Sequence, residues 1–227
     1  MSGQDRPPPS DPALPLAGRA VLVAGSGGGL AESIACASAE RGARVALVTS
    51  EGGQLHPQVT VFRAPLETDA DLDEIFEVLP LQLPRLETVI VVVAAEPFGF
   101  AHQVSLDDWR QRVERPLRST FSLVSRAVEE LLAEGAAGRF VIVIEPPAAG
   151  VEPDEVVENA LRSFVRSFAR EYGRRGFACN LVSARGNGRS GENPFASIVE
   201  HALYLASPGA SFINGDWLVT GPVRASP

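Results

Sequence analysis

Four glycines, Gly25, Gly27, Gly28 and Gly29, crowd into the segment AGSGGGLAESIA at residues 24–35, after the apolar run AVLVAG and before a helical pattern ending near Gly42. Glycine lets a chain turn tightly and lets its backbone approach a ligand, and the first amides of a following helix favour a negative group. In that setting the segment predicts a cradle for a pyrophosphate. The same glycines would also serve a plain flexible turn. One compositional fact limits the chemistry: all 20 Lys and Arg residues are arginine, so any mechanism that needs a lysine amine is closed to this chain.

Other reactive residue types are sparse. Cys36 and Cys179 fall in segments that read as a helix and a buried strand, where a small apolar side chain is expected, so both are assigned to packing. His56, His102 and His201 are scattered without a second ligand at metal spacing, and no metal site is expected. Glu152, Asp154, Glu155 and Glu158 read as the solvated acidic first turn of a helix, stabilised by its dipole. Arg174 and Arg175 form a short basic spot at that helix's far end. A net charge of −8 argues against nucleic acid as a partner.

Apolar runs alternate with helical patterns from residue 20 onward: AVLVAG, RVALVTS, VTVFR, TVIVVVAA, RFVIVIE, FACNLVSA and DWLVTG. Seven such runs separated mostly by helices predict a parallel sheet covered on both faces, a doubly wound α/β architecture. Leu72, Ile75, Phe76 and Leu79 follow helical spacing behind a start signal at Thr68. Ser105 and Asp108 predict a capping box opening the helix that carries Trp109, Val113, Phe121, Val124 and Val128, with Pro116 bending it. Val157, Leu161, Phe164, Val165 and Phe168 form a broad stripe on a helix over 155–173. Residues 1–16, rich in proline, are expected to be a loose tail, and residues 17–227 a single domain. With no secretory signal and no long apolar span, a cytoplasmic location away from membranes is expected.

Three segments together resemble the short-chain dehydrogenase/reductase superfamily: AGSGGGLA at 24–31, SFAREYGRRGFACNLVSA at 167–184 and LASPGASFINGD at 205–216. The likeness runs from about Leu16 to the C-terminus. It implies a Rossmann-type, doubly wound three-layer sandwich with a seven-stranded parallel sheet and an NAD(P) site at the glycine loop. It also implies cofactor-facing positions at Gly25, Ser26, Gly29, Leu30, Ser50 and Ala94.

In the register those segments set, the family's working positions are altered one by one. The strand end that normally carries an asparagine, an alanine and a glycine corresponds to VVAA at 92–95, without an amide. The helix asparagine falls at Pro116, the catalytic serine at Glu145, and the tyrosine and lysine at Asp154 and Glu158. Residues four beyond Tyr172 and Tyr204 are Gly176 and Pro208, so no other tyrosine–lysine pair can be assembled. An exposed carboxylate titrates near about pH 4 and is a poor acid at neutrality. The second strand ends in VTS, where Thr49 and Ser50 supply neither an acid for a ribose hydroxyl nor a cation for a 2′-phosphate. Arg44 and Arg63 stand at strand ends and are read as solvated. Only residues 185–194 occupy the place of the family's substrate flap.

Three functions stay open at this level. The first is a catalytically silent subunit, assembled with itself or with an active family member, with no bound or weakly bound NAD(P). The second is a carboxylate-based enzyme using Glu145, Asp154 and Glu158 for dehydration, isomerisation or cyclisation. The third is an NAD(P)-dependent oxidoreductase with atypical residues.

Overall fold

The seven apolar runs form seven strands: β1 Ala20–Gly25, β2 Arg44–Thr49, β3 Val59–Arg63, β4 Thr88–Ala94, β5 Arg139–Glu145, β6 Ala178–Ala184 and β7 Trp217–Thr220. In the computed structural model, which describes residues 15–25, 29–50, 55–66, 68–83, 85–94, 96, 101–146, 155–184 and 194–221, all neighbouring strands pair in parallel. Their order is β3-β2-β1-β4-β5-β6-β7. The chain moves outward from β1 to β3, then returns to pair β4 on the other side of β1. Such a reversal of direction opens a crevice at the strands' carboxyl ends, where ligands bind in open α/β sheets.

Helices cover both faces. Helices α1 Gly29–Glu40 and α6 Pro194–Ala206 pack on one side, while α2 Asp69–Gln82, α4 Arg115–Ala133 and α5 Glu155–Tyr172 pack on the other. Alternate residues of one strand feed the two cores. Leu22 and Ala24 face the α2, α4 and α5 layer, and Val21 and Val23 face α1 and α6. The expected doubly wound three-layer sandwich is therefore present.

Local signals explain the helix starts. Thr68 caps α2 by accepting from the Asp71 amide at 3.2 Å, while Asp71 accepts the Thr68 amide at 2.8 Å. Ser105 and Asp108 repeat this box at α3, Leu106–Trp109, and the Ser105 hydrogen bonds hold the Asp108 carboxyl below its ordinary range. Pro116 does more than bend its helix. A π-helical turn, Arg110–Glu114, joins α3 to α4, and the Arg115 amide donates to the Arg110 carbonyl five residues back. In a regular turn the proline ring would press on the carbonyl four residues earlier, and widening the preceding turn relieves that contact.

Other expectations at the edges of the core need correction. Leu16, placed in the tail by composition, is fully buried beside α1, and its amide donates to the Arg41 carbonyl. Trp109 and Phe121 belong to the apolar pattern of their helix, but lie 45% and 58% exposed, while Val113, Val124 and Val128 are buried. Phe121 instead meets Phe164 of α5, their ring centres 6.1 Å apart. Cys179 is buried in β6, where desolvation pushes its thiol well above the usual range, and Cys36 is half-buried in α1. Among the described residues no helix is long and apolar enough to cross a membrane.

Two asparagine side chains hold the C-terminal edge of the sheet. The Asn214 carbonyl accepts the Cys179 amide at 2.9 Å and its amide donates to the Phe177 carbonyl at 3.0 Å. Asn180, buried in β6, donates to the Ile213 carbonyl and accepts the Asp216 amide. Gly215 between them adopts φ 83°, and a Cβ there would stand 3.0 Å from the Ala169 Cβ. This explains why the segment SFINGD persists: it ties β7 to β6 and α5. Asn214→Ala leaves two backbone groups without partners and is expected to cost about 2–4 kcal/mol of stability, read from urea unfolding.

Candidate functional site

The crevice between β1 and β4 begins at the glycine turn. A Cβ at Gly25 would lie 3.0 Å from the Ala31 Cβ and 3.2 Å from that of Val92, so close packing of α1 and β4 alone demands glycine there. At Gly29, the first residue of α1, a Cβ would meet nothing within 4 Å, so the helix start faces open space. Leu30 is fully buried, which leaves only its backbone to face a ligand. Ser50 and Ala94 are exposed beyond and at the ends of β2 and β4, and Thr49 is buried. Ser26 lies outside the described residues.

Beside that turn is a cavity of about 350 Å³. Its sheet wall is made by Ala24, Gly25 and the end of β4 from Val91 to Ala94. Its opposite wall is the π-helical turn and the start of α4, which present Gln111, Arg112, Arg115, Pro116 and Ser119. Pro65 and Leu66, after β3, close one side. The Thr120 hydroxyl, also in the wall, is occupied in donating to the Pro116 carbonyl at 2.8 Å. Aliphatic floor, glycine turn and guanidinium groups suit an anionic ligand of modest size, and the first two could receive part of a nicotinamide dinucleotide. The sequence reasoning did not find Arg112 or Arg115. Their spacing to Ser119 on one helix side was the available signal.

Pro116, Glu145, Asp154 and Glu158 are the positions that the resemblance assigns to the family's working residues. Pro116 is in the cavity wall without an amide to offer. Asp154 lies outside the described residues. Glu145 ends β5, half-buried, in register with Ala94 of β4, and desolvation raises its carboxyl above the ordinary value. Glu158 reverses the expectation of a solvated acidic turn, since it is 4% exposed. The reason is periodicity: Glu158, Leu161, Val165 and Phe168 share the inward face of α5 at i, i+3, i+7 and i+10.

Glu158 is tied to the sheet's edge. The Ser183 hydroxyl, itself buried on β6, donates to Glu158 Oε1 at 3.3 Å, and the Trp217 indole N–H donates to Ser183 Oγ at 2.8 Å. Arg162, one turn along α5, holds its guanidinium 4.5 Å from the centre of the Trp217 ring. Helix α5 is thus joined to the edge strand through Ser183 and through Arg162. Tyr172 is likewise structural: its ring packs on Phe168 at 4.9 Å and Phe177 at 5.9 Å, and its hydroxyl pKa is raised by desolvation and by Glu171.

Two predictions follow from these carboxylates. Glu158→Ala strands the Ser183 hydroxyl in the core and is expected to lower unfolding free energy by about 2–4 kcal/mol, with Glu158→Lys worse than Glu158→Gln. Urea denaturation of the three variants checks the ranking. Glu145 binds its proton more tightly folded than unfolded, so its contribution is greatest below the ordinary glutamate pKa and is lost as pH rises through the raised value. Relative to Glu145→Gln, the parent chain is therefore expected to lose stability between about pH 4.5 and neutrality, measured as urea midpoints across that range.

The comparisons with known proteins agree with this architecture. Residues 24–186 match the family described as enoyl-(acyl carrier protein) reductase. A D-threitol dehydrogenase of Mycolicibacterium smegmatis is 27% identical, covering 90% of this chain and 92% of its own. A cyclic-di-GMP-binding biofilm dispersal mediator protein of Escherichia coli is 24% identical, covering 87% of this chain and 93% of its own. Among solved structures, a short-chain dehydrogenase from Bacillus anthracis superposes with a TM-score of 0.75 at 18% identity, covering 89% of this chain and 94% of that one. With its parallel sheet, glycine turn and C-terminal asparagine ties, the chain belongs to the short-chain dehydrogenase/reductase superfamily.

Proposed function

We propose that this oxidoreductase-like chain is a catalytically silent member of its superfamily, acting in the cytoplasm as a structural or regulatory subunit assembled with itself or with an active relative. The observation that carries the reading is Glu158, which stands where the family's lysine would hold a nicotinamide ribose and is instead buried against Ser183. A carboxylate turned into the core can neither lower a tyrosine pKa nor reach a cofactor. Pro116 and Glu145 at two further working positions support the same reading. The likeness to a protein named for binding cyclic-di-GMP, rather than for a redox reaction, is compatible with a non-catalytic role.

Assembly would use the outer faces of α4 and α5. Phe121 and Phe164 meet edge to face at 6.1 Å between these helices, and Phe121, Trp109 and Val156 are each more than 40% exposed. Exposed apolar side chains of that kind suit a protein partner. NAD(P) is absent or weakly held in this reading, because β2 ends without a ribose-binding acid.

A carboxylate-based reaction without hydride transfer is the second reading, favoured by half-buried Glu145 at the carboxyl end of β5, where desolvation raises its carboxyl above the ordinary value. An oxidoreductase with atypical residues is the third reading, favoured by the glycine segment and by the likeness to a reductase family and to a D-threitol dehydrogenase. Calorimetric titration with NADH and NADPH, together with carbonyl-dependent oxidation assays, separates the oxidoreductase from the other two readings. The expected result is dissociation constants near about 1 mM or weaker and no oxidation above background. Turnover of either cofactor would overturn the silent reading. Light scattering is expected to show a dimer or larger species, or a complex on co-expression with an active relative, and a strictly monomeric, unpartnered chain would remove the assembly role.

A further inference from the structure

We propose that the amino ends of the strands, on the opposite edge of the sheet from the crevice, bind a tetrahedral oxyanion such as phosphate, held between Arg139 and Arg19. This site stands apart from the glycine turn. It does not depend on whether the chain is catalytically silent.

Four charged residues lie side by side along that edge. The Arg44 amide donates to the Arg19 carbonyl at 2.8 Å, the Glu87 amide to the Ala20 carbonyl at 3.1 Å, and the Arg139 amide to the Glu87 carbonyl at 2.9 Å. Arg44, Arg19, Glu87 and Arg139 thus follow one another at or just before the starts of β2, β1, β4 and β5. Among these four, three guanidinium groups share one carboxylate, in a chain whose net charge is −8. Neighbouring strands stand about 4.8 Å apart, so β1 and β5, on either side of β4, are about 10 Å apart. Arginine side chains from the two can close on one ion across that span. A carboxylate has oxygens for one guanidinium fork, whereas a tetrahedral phosphate keeps oxygens for a second.

Alternation along the strands explains why Glu87 does not serve both arginines. Glu87 is two residues before Val89, which enters the α2, α4 and α5 core, whereas Arg139 is two before Val141, which enters the α1 and α6 core. Glu87 Oε2 lies 3.5 Å from Arg19 Nη1, longer than a good N–H···O hydrogen bond. Arg139 is half-buried, and among the described residues its guanidinium has no ion-pair or hydrogen-bond partner. Burial and the neighbouring Arg19 charge both lower its pKa, as expected of a cation without a counterion. Thr88, beside Arg139 in the β4–β5 register, is fully buried, and its hydroxyl has no partner either. Arg41, at the end of α1, shows the contrast: it donates to the Ala37 carbonyl and pairs with Glu200. Withdrawing a charge from water without a partner is costly, and an oxyanion from solution offsets that cost at Arg139.

Inorganic phosphate and glycerol 2-phosphate, titrated calorimetrically into the full chain at fixed ionic strength, test the site, with acetate for comparison. At least one phosphate probe is expected to bind with a dissociation constant below about 5 mM, and about tenfold or more tighter than acetate. The tighter of the two shows whether the ion is taken free or as a monoester. Arg139→Gln is expected to weaken that binding at least about tenfold, and Arg19→Gln about threefold or more, while Arg115→Ala, at the crevice, leaves it within about twofold. Arg139→Met supplies a readout that needs no ligand. It replaces a half-buried, uncompensated cation by an apolar chain and is expected to raise the thermal midpoint in phosphate-free buffer by about 1–3 °C. No binding of either phosphate at about 50 mM, equal binding by the parent and Arg139→Gln, or a lowered midpoint for Arg139→Met would overturn the proposal. Cofactor turnover, which decides the silent-subunit reading, is not read in any arm, so the two ideas fail separately.

Discussion

Side chains of β1 are buried whichever face of the sheet they point to, and the same holds for β4 as far as Val93 and for β5 from Phe140 to Ile144. A strand buried on both sides must have helices above and below it, and parallel neighbours satisfy that demand through crossover helices. All carboxyl ends then emerge along one edge. The reversal between β3 and β4 parts the helices at β1 and β4, and the cavity lies there because no crossover covers that gap. Position of the site is thus a by-product of how the sheet is buried, independent of what the site does.

That independence accounts for which family features survive. Gly25 is fixed by the approach of Ala31 and Val92, and Asn214 and Gly215 are fixed by their ties to β6 and α5. Each would be retained by a chain that never met a cofactor. Positions whose only task is chemistry carry no such constraint, and in the register that the resemblance sets they hold Pro116, Glu145 and Glu158. The motifs that reveal the family are therefore mainly structural ones. A resemblance resting on them carries the fold with more force than the reaction.

The strands and caps were legible in the sequence because each has a local cause. Apolar runs bounded by turn residues gave the seven strands, and Thr68 and Ser105 gave their helix starts through side chains three residues away. What could not be read locally depended on a neighbour in space. Glu158 reads as one of several acids in a first turn, and only the arrival of Ser183 on β6 and Trp217 on β7 gives its carboxyl a buried partner chain. Trp109 and Phe121 have the periodicity of core residues, yet the packed helices leave them exposed. Arg112 and Arg115 look like ordinary surface cations until β4 and the segment after β3 supply the other walls.

Glu158 also constrains which residue position 158 can hold. Here the position has been taken into a hydrogen-bonded chain running from α5 through Ser183 to the edge strand, with Arg162 stacked over the indole at its end. Placing an ammonium there would bury a cation beside a hydroxyl that now donates to an anion, with a guanidinium one turn away. A lysine there would require Ser183, Trp217 and Arg162 to change as well. The acid at position 158 is thus part of the core, and its identity and the packing of the sheet edge are one constraint.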